Sequence, residues 1–215
     1  MVRGETESPA FLSAAVVAGT LAPVALFSAL AVRASSVEAS GAEQDFVEWL
    51  YRRTVPVHGA VDLFLTVGRL GGLLLFGLLA IGLMARGRVR ESSLLVVALA
   101  GATALSLAAH VVVNALSSVE GGTTLDFPSG HAAASLSGVG AALLVLGGRP
   151  SRLVTALAVS LVVAYGTALV ARNWHGPSEV LAGWCLGLAW LGVVRLVAVL
   201  WSSDLPATAA APKST

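Results

Sequence analysis

Long apolar runs alternate with short polar interruptions along this chain, and the runs have the length of membrane spans. About twenty consecutive apolar residues suffice for a helix to cross a bilayer. Six runs meet that measure: Ala10–Val32, Val57–Ala85, Ser93–Leu116, Pro128–Gly148, Leu153–Ala171 and Pro177–Trp201. The pattern predicts an all-α polytopic membrane protein with six transmembrane helices over residues 10–205. Residues 1–9 form a short tail, and residues 206–215, rich in Ala, Pro, Ser and Thr, read as a disordered one. Ala29-Leu30-Ala31 resembles a signal-peptide cleavage site, but the first run is longer than a signal core and follows two acidic residues. It is therefore read as an anchor.

The interruption after the first run has a pattern of its own. Phe46, Val47, Trp49 and Leu50 interleave at helical spacing with Gln44, Asp45, Glu48, Arg52 and Arg53. This predicts a short interfacial helix with Trp49 and Tyr51 at headgroup level, or a surface helix packed on the bundle. Pro56 is expected to end it before the second span.

Charge then orients the bundle. Arg86, Arg88, Arg90, Arg149 and Arg152 lie between spans on one side, joined by Arg3 and Lys213 near the ends. The positive-inside rule assigns that side, and both termini, to the cytoplasm. Glu38, Glu43, Asp45, Glu48, Glu120, Asp126 and Glu179 fall on the other; Arg52 and Arg53 are exceptions that share a loop with four of these acids. Charged residues make up only 12% of the chain and the net charge is +1, so no basic surface for nucleic acid is present. Cys185 is the single cysteine and lies inside an apolar run, where it reads as a packing residue, not as part of a disulfide or metal set. Lys213 is the only lysine, and the Arg bias with abundant Ala, Gly and Val resembles a GC-rich bacterial coding sequence.

Candidate chemistry gathers on the outer side. All four histidines map there: His58, His110, His131 and His175. In Asp126-Phe127-Pro128-Ser129-Gly130-His131 a polar loop meets a helix start. Pro is suited to a first helical position, and the N–H groups of Ser129 and Gly130 at the positive helix end suit an anion such as phosphate. On its own the stretch reads first as a capped helix with an incidental histidine. A second constellation, Arg172-Asn173-Trp174-His175-Gly176-Pro177-Ser178-Glu179, repeats the arrangement. If the chain folds back, Glu179 accepts the His175 N–H and raises the basicity of the other ring nitrogen. Arg172 either holds a phosphoryl oxygen or snorkels to headgroups. Taken together, two histidines at two helix starts on one membrane face divide the work of nucleophile and general acid, a division that needs no metal or other cofactor.

These residues resemble the membrane branch of the type 2 phosphatidic acid phosphatase superfamily. Phe127-Pro128-Ser129-Gly130-His131 is similar to its second signature, and His175-Gly176-Pro177-Ser178-Glu179-Val180-Leu181-Ala182-Gly183 to the end of its third. Gln44 through Gly72 reads like its lead-in to span two. The resemblance implies six spans and an outward-facing site. It makes His175 the nucleophile that forms a phosphohistidine and Glu179 a replacement for the orienting aspartate. It makes His131 the general acid, with Ser129 and Gly130 cradling the phosphate. Three family cations are absent: the first signature's Lys, Arg and Pro align with His110, Ser117 and Ser118, and the third signature's Arg and Ser with Leu169 and Ala168. His110, if protonated, and Arg172 are the candidate substitutes. Arg69, inside the second run with Asp62 two turns earlier, is either a cation supplied from that span or half of a structural pair.

Three functions follow as expectations. The first is a metal-independent lipid phosphatase of the cell membrane, acting on polyprenyl phosphates or diphosphates or on phosphatidate. The second is a catalytically impaired relative that binds lipid phosphate or serves as an accessory subunit in envelope assembly, alone or as a homo-oligomer. The third, a transporter, lacks the broken-helix pair and inverted repeat expected of one.

Overall fold

The computed structural model describes residues 9–36, 41–117, 127–146 and 150–203. Glu38, Ser118, Glu120, Asp126, Arg149 and both tails, with Arg3 and Lys213, lie outside them. Among the described residues the chain is all helix and turn. Its helices are α1 (Pro9–Ser36), α2 (Gly41–Thr54), α3 (His58–Ala85), α4 (Val89–Leu116), α5 (Gly130–Val145), α6 (Arg152–Ala171) and α7 (Pro177–Ser203).

Among the described residues four helical segments are long and apolar enough to cross a membrane: Gly41–Ala85, Val89–Leu116, Arg152–Ala171 and Pro177–Leu200. Two shorter apolar stretches, Gly19–Ser35 and Gly130–Val145, complete the set. Each of the six apolar runs of the sequence thus contributes a helix within its described residues. Packing follows the logic of a membrane bundle. Leu63, Leu70, Leu73, Leu74 and Leu78 on α3 and Leu153, Leu157 and Leu161 on α6 are exposed. The interior includes Ala98, Ala102, Ala132, Ala133, Ala141 and Ala182, each at most 2% exposed, packed around larger buried side chains such as Leu65, Leu95, Phe127 and Leu169. Small interior residues let helices approach closely where lipid, not water, surrounds them. Ser92 Oγ donates to the Ala80 carbonyl and Ser137 Oγ to that of Ala98, both at 2.9 Å, which ties α4 to α3 and α5.

Of two sequence expectations at helix boundaries, one holds and one shifts. Pro56 lies between α2 and α3 as expected, in a 3-10 turn, Val55–Val57, that follows the end of α2 at Thr54 and precedes α3 at His58. Pro128 is not in the first turn of α5. That helix begins at Gly130 with Ser129 as its N-cap, whose Oγ accepts the Ala132 N–H at 3.3 Å, and Pro128 lies one residue earlier. α2 buries Val47 and exposes Phe46 and Trp49, which stack on each other. At the other end of the bundle Arg88 donates to the Val145 carbonyl at 2.6 Å and satisfies the C-terminus of α5.

Candidate functional site

The site rests on the crossing of α5 and α7. α7 presents Gly183 and Gly187, one turn apart, to the backbone of α5. A Cβ on Gly183 would stand 2.4 Å from the Ser129 carbonyl oxygen, and one on Gly187 2.7 Å from that of Ala133. Only hydrogen fits at either position. The same approach brings the Ser129 N–H to the Glu179 carbonyl at 3.1 Å, so the two helix starts are joined through their backbones.

His175 reaches this junction through the turn that ends α6. The Trp174 N–H bonds the Leu169 carbonyl and the Asn173 N–H that of Val170. With Asn173 at a φ of 56°, this is a Schellman closure, and Asn is among the few residues that accept its left-handed position. The chain reverses, and His175 comes to lie against the first turn of α7. Glu179, 2% exposed, places Oε2 2.8 Å from His175 Nδ1. An ionised carboxylate can only accept, so in the neutral His175 ring this contact puts the proton on Nδ1 and leaves the lone pair on Nε2. His131, the second residue of α5, faces His175 with ring centroids 6.2 Å apart.

The start of α7 is completed from elsewhere. Gly176 accepts the Val180 N–H as the N-cap residue but has no side chain to cap the next donors. Glu43 of α2 supplies one, its Oε1 accepting the Ser178 N–H at 2.9 Å. A Cβ on Gly176 would stand 2.9 Å from that oxygen, so the missing side chain and the borrowed carboxylate go together. Sequence reasoning did not single out Glu43 for this role. The signal available was a glycine at an N-cap beside several upstream acids.

The remaining candidates lie as follows. Ser129 is fully buried, and both its N–H and its hydroxyl are engaged, the first with Glu179 and the second as the cap of α5. Anion-binding capacity therefore moves one residue along, to the N–H groups of Gly130 and His131, which have no acceptor among the described residues. His110 uses both ring nitrogens: Nδ1 donates to the Phe127 carbonyl at 3.3 Å and Nε2 accepts from Asn114 at 3.0 Å. Arg172 is turned into a separate cluster. Its Nε bonds Asp62 Oδ1 at 2.5 Å, its Nη1 donates to His58 Nδ1 at 2.8 Å, and its guanidinium lies 5.9 Å from the Tyr51 ring centroid. The Asp62 hydrogen bond holds the Arg172 pKa above its ordinary value. The Asp62–Arg69 pair considered from the sequence does not form; Arg172 has taken Asp62. Ser117 and Leu169, the positions that the sequence resemblance aligns with arginines, bring no charge, and Leu169 is buried in the core beside Tyr165. Among the described residues no group of three His, Cys, Asp or Glu side chains is placed to hold a metal ion.

Gly130 and His131 also line a cavity of about 670 Å³ between α3, α4, α5 and α6, which follows α5 from Gly130 to Leu143. Beyond Gly130, His131 and Arg69 at one end, its walls are mainly aliphatic and aromatic.

The family described as the PAP2 superfamily matches residues 114–202. The matched stretch runs from the end of α4 through α5 and α6 to the end of α7 and so contains both histidine motifs. The resemblance read from those motifs is borne out. Neither a curated relative nor a solved structure matches the chain.

Proposed function

We propose that this chain, matched to the PAP2 superfamily across both histidine helices, is an integral membrane phosphatase that hydrolyses a phosphomonoester or diphosphate on a lipid. The family's chemistry is the hydrolysis of phosphate esters, often those of lipids. The observation that carries the reading is the His175–Glu179 pair facing His131. Phosphate binds at the start of α5, against the Gly130 and His131 N–H groups. His175 Nε2 attacks phosphorus as the bond to the lipid oxygen breaks, and protonated His131 gives its proton to that oxygen. Glu179 stabilises the positive charge that develops on the His175 ring. Water, activated by the now basic His131, then attacks the phosphohistidine, cleaves its P–N bond and releases inorganic phosphate. The arginines at the α3–α4 turn and at the start of α6 support a cytoplasmic assignment for that end and an extracytoplasmic one for the site.

A second reading has its own support. His110 and Arg172, the expected substitutes for the family's cations, are both engaged away from the histidine pair. A site short of cations suits a lipid-phosphate binder or an accessory subunit, because loss of a charge clamp on a transferring phosphoryl group costs orders of magnitude in rate. The test is phosphate release by purified protein from phosphatidate, a polyprenyl phosphate and a polyprenyl diphosphate, with chelator present. The phosphatase reading expects release by wild type and background rates for His175→Ala. Equal inactivity of the two proteins across the panel, with lipid phosphate still bound, selects the binder.

A further inference from the structure

We infer that Arg69 is the cation that holds the lipid phosphate beside His131, with the hydrocarbon of the same lipid lying in the apolar cavity below; the inference rests on a lipid phosphate being the site's ligand. Arg69 lies eleven residues into α3, about 16 Å along the helix from its outer end. An arginine within a span is a functional candidate by default, because its charge is costly there unless something answers it. The obvious answer, Asp62 on the same helix, is bound to Arg172. Arg69 makes no ion pair or hydrogen bond among the described residues, and its side chain is not buried by protein.

What it faces is the cavity it lines together with Gly130 and His131. Helical side chains lean toward the helix N-terminus, and the N-terminus of α3 is at the end of the bundle where the two histidines meet. Arg69, His131 and Tyr165 all line the same cavity. Gly68 makes the approach possible: a Cβ there would stand 2.6 Å from the Tyr165 ring, so the bare backbone lets α6 and its tyrosine settle against α3 beside Arg69. One end of the cavity thus offers a guanidinium, a histidine and the orphan N–H groups of α5. The long remainder offers mainly apolar surface, suited to a hydrocarbon chain. A single molecule with a phosphate at one end and an alkyl or prenyl chain at the other satisfies both.

The experiment measures binding, so that it does not depend on turnover. His175→Ala protein in phosphatidylcholine nanodiscs is titrated with phosphatidate, with diacylglycerol of the same chains, and with inorganic phosphate as competitor. Arg69→Gln and Arg69→Lys are compared in that background, and melting temperatures verify that both fold. The expected result is a loss of phosphatidate affinity of about tenfold to a hundredfold in Arg69→Gln, with most affinity kept in Arg69→Lys and diacylglycerol binding unchanged. Inorganic phosphate should compete in the Arg69 protein and lose potency in Arg69→Gln, which separates the site from a general headgroup contact. Unchanged phosphatidate affinity in Arg69→Gln overturns the inference. So does an equal loss for diacylglycerol, which marks a structural arginine, or a phosphatidate effect that inorganic phosphate cannot compete away, which marks an interfacial one. Arg69-dependent binding without turnover by wild type would leave the inference standing and remove only the phosphatase.

Discussion

Glu179 shows how one buried carboxylate can set the state of a histidine. It is among the most deeply enclosed polar groups described, and its carboxylate meets His175 while its carbonyl holds the start of α5. Glu179→Gln keeps the shape but removes the charge, and its amide can favour the wrong tautomer of His175. Phosphate release should fall roughly a hundredfold or more, with Glu179→Asp intermediate and KM little changed in either; initial rates at saturating lipid phosphate decide this. A fully active Glu179→Gln would mean that the carboxylate does not orient the nucleophile. The pairing was legible because His175 and Glu179 are four residues apart across a recognisable helix start. The environment of Arg172 was not. Sequence spacing on one helix favoured Asp62 with Arg69, whereas the partner chosen lies 110 residues away in the chain. The same limit applies to Ser129, whose N–H was counted as open to phosphate until the crossing with α7 claimed it.

At the scale of elements, the site depends on how closely α5 and α7 cross and on how α7 begins. Gly183→Ala drives a methyl group into the Ser129 carbonyl, a backbone atom that cannot move without shifting α5. It should destabilise the protein by about 1–3 kcal/mol and lower activity by separating His131 from His175, while helical content by circular dichroism stays the same. Gly77→Ala, where nothing lies within 4 Å, serves as the control and should be silent or slightly stabilising. Loss of the cap at α7 is a separate test. Glu43→Ala strips the acceptor from the Ser178 N–H and should cost about 1 kcal/mol in thermal unfolding, whereas Glu43→Gln, which retains an acceptor oxygen, should recover most of it. If Glu43→Ala melts like wild type, the α2 contact is incidental. Every helix of the bundle could be read from the chain, because apolar length and Pro, Gly or Ser punctuation are local signals. What could not be read is which helices touch. The glycines of α7 and Gly68 of α3 have no periodic signature that distinguishes a crossing point from a tolerated glycine.

For the whole molecule, close packing at the helix crossings is the organising fact: alanine, glycine and serine fill many of the tightest positions around a few large buried side chains (Leu65, Leu95, Phe127 and Leu169), and most leucines face outward. This allows six apolar segments to come close enough to bring Gly130, His131, His175 and Glu179 to one end, with an apolar cavity beneath. The loop arginines are a signal at this scale, since they need only be counted, and they support the proposed orientation. The functional charge is not such a signal, since Arg69 gains its meaning from what Arg172 takes away. The central claim is that His175 is a nucleophile and not merely a buried histidine, and it is tested most directly by trapping the intermediate. Wild-type protein is mixed with phosphatidate radiolabelled at phosphorus, quenched within the first turnover and digested for mass spectrometry. One acid-labile phosphoryl group should be found on His175, absent from His175→Ala and diminished in Glu179→Gln. Phosphate release by His175→Ala at the wild-type rate, or a label found on another residue, would contradict it.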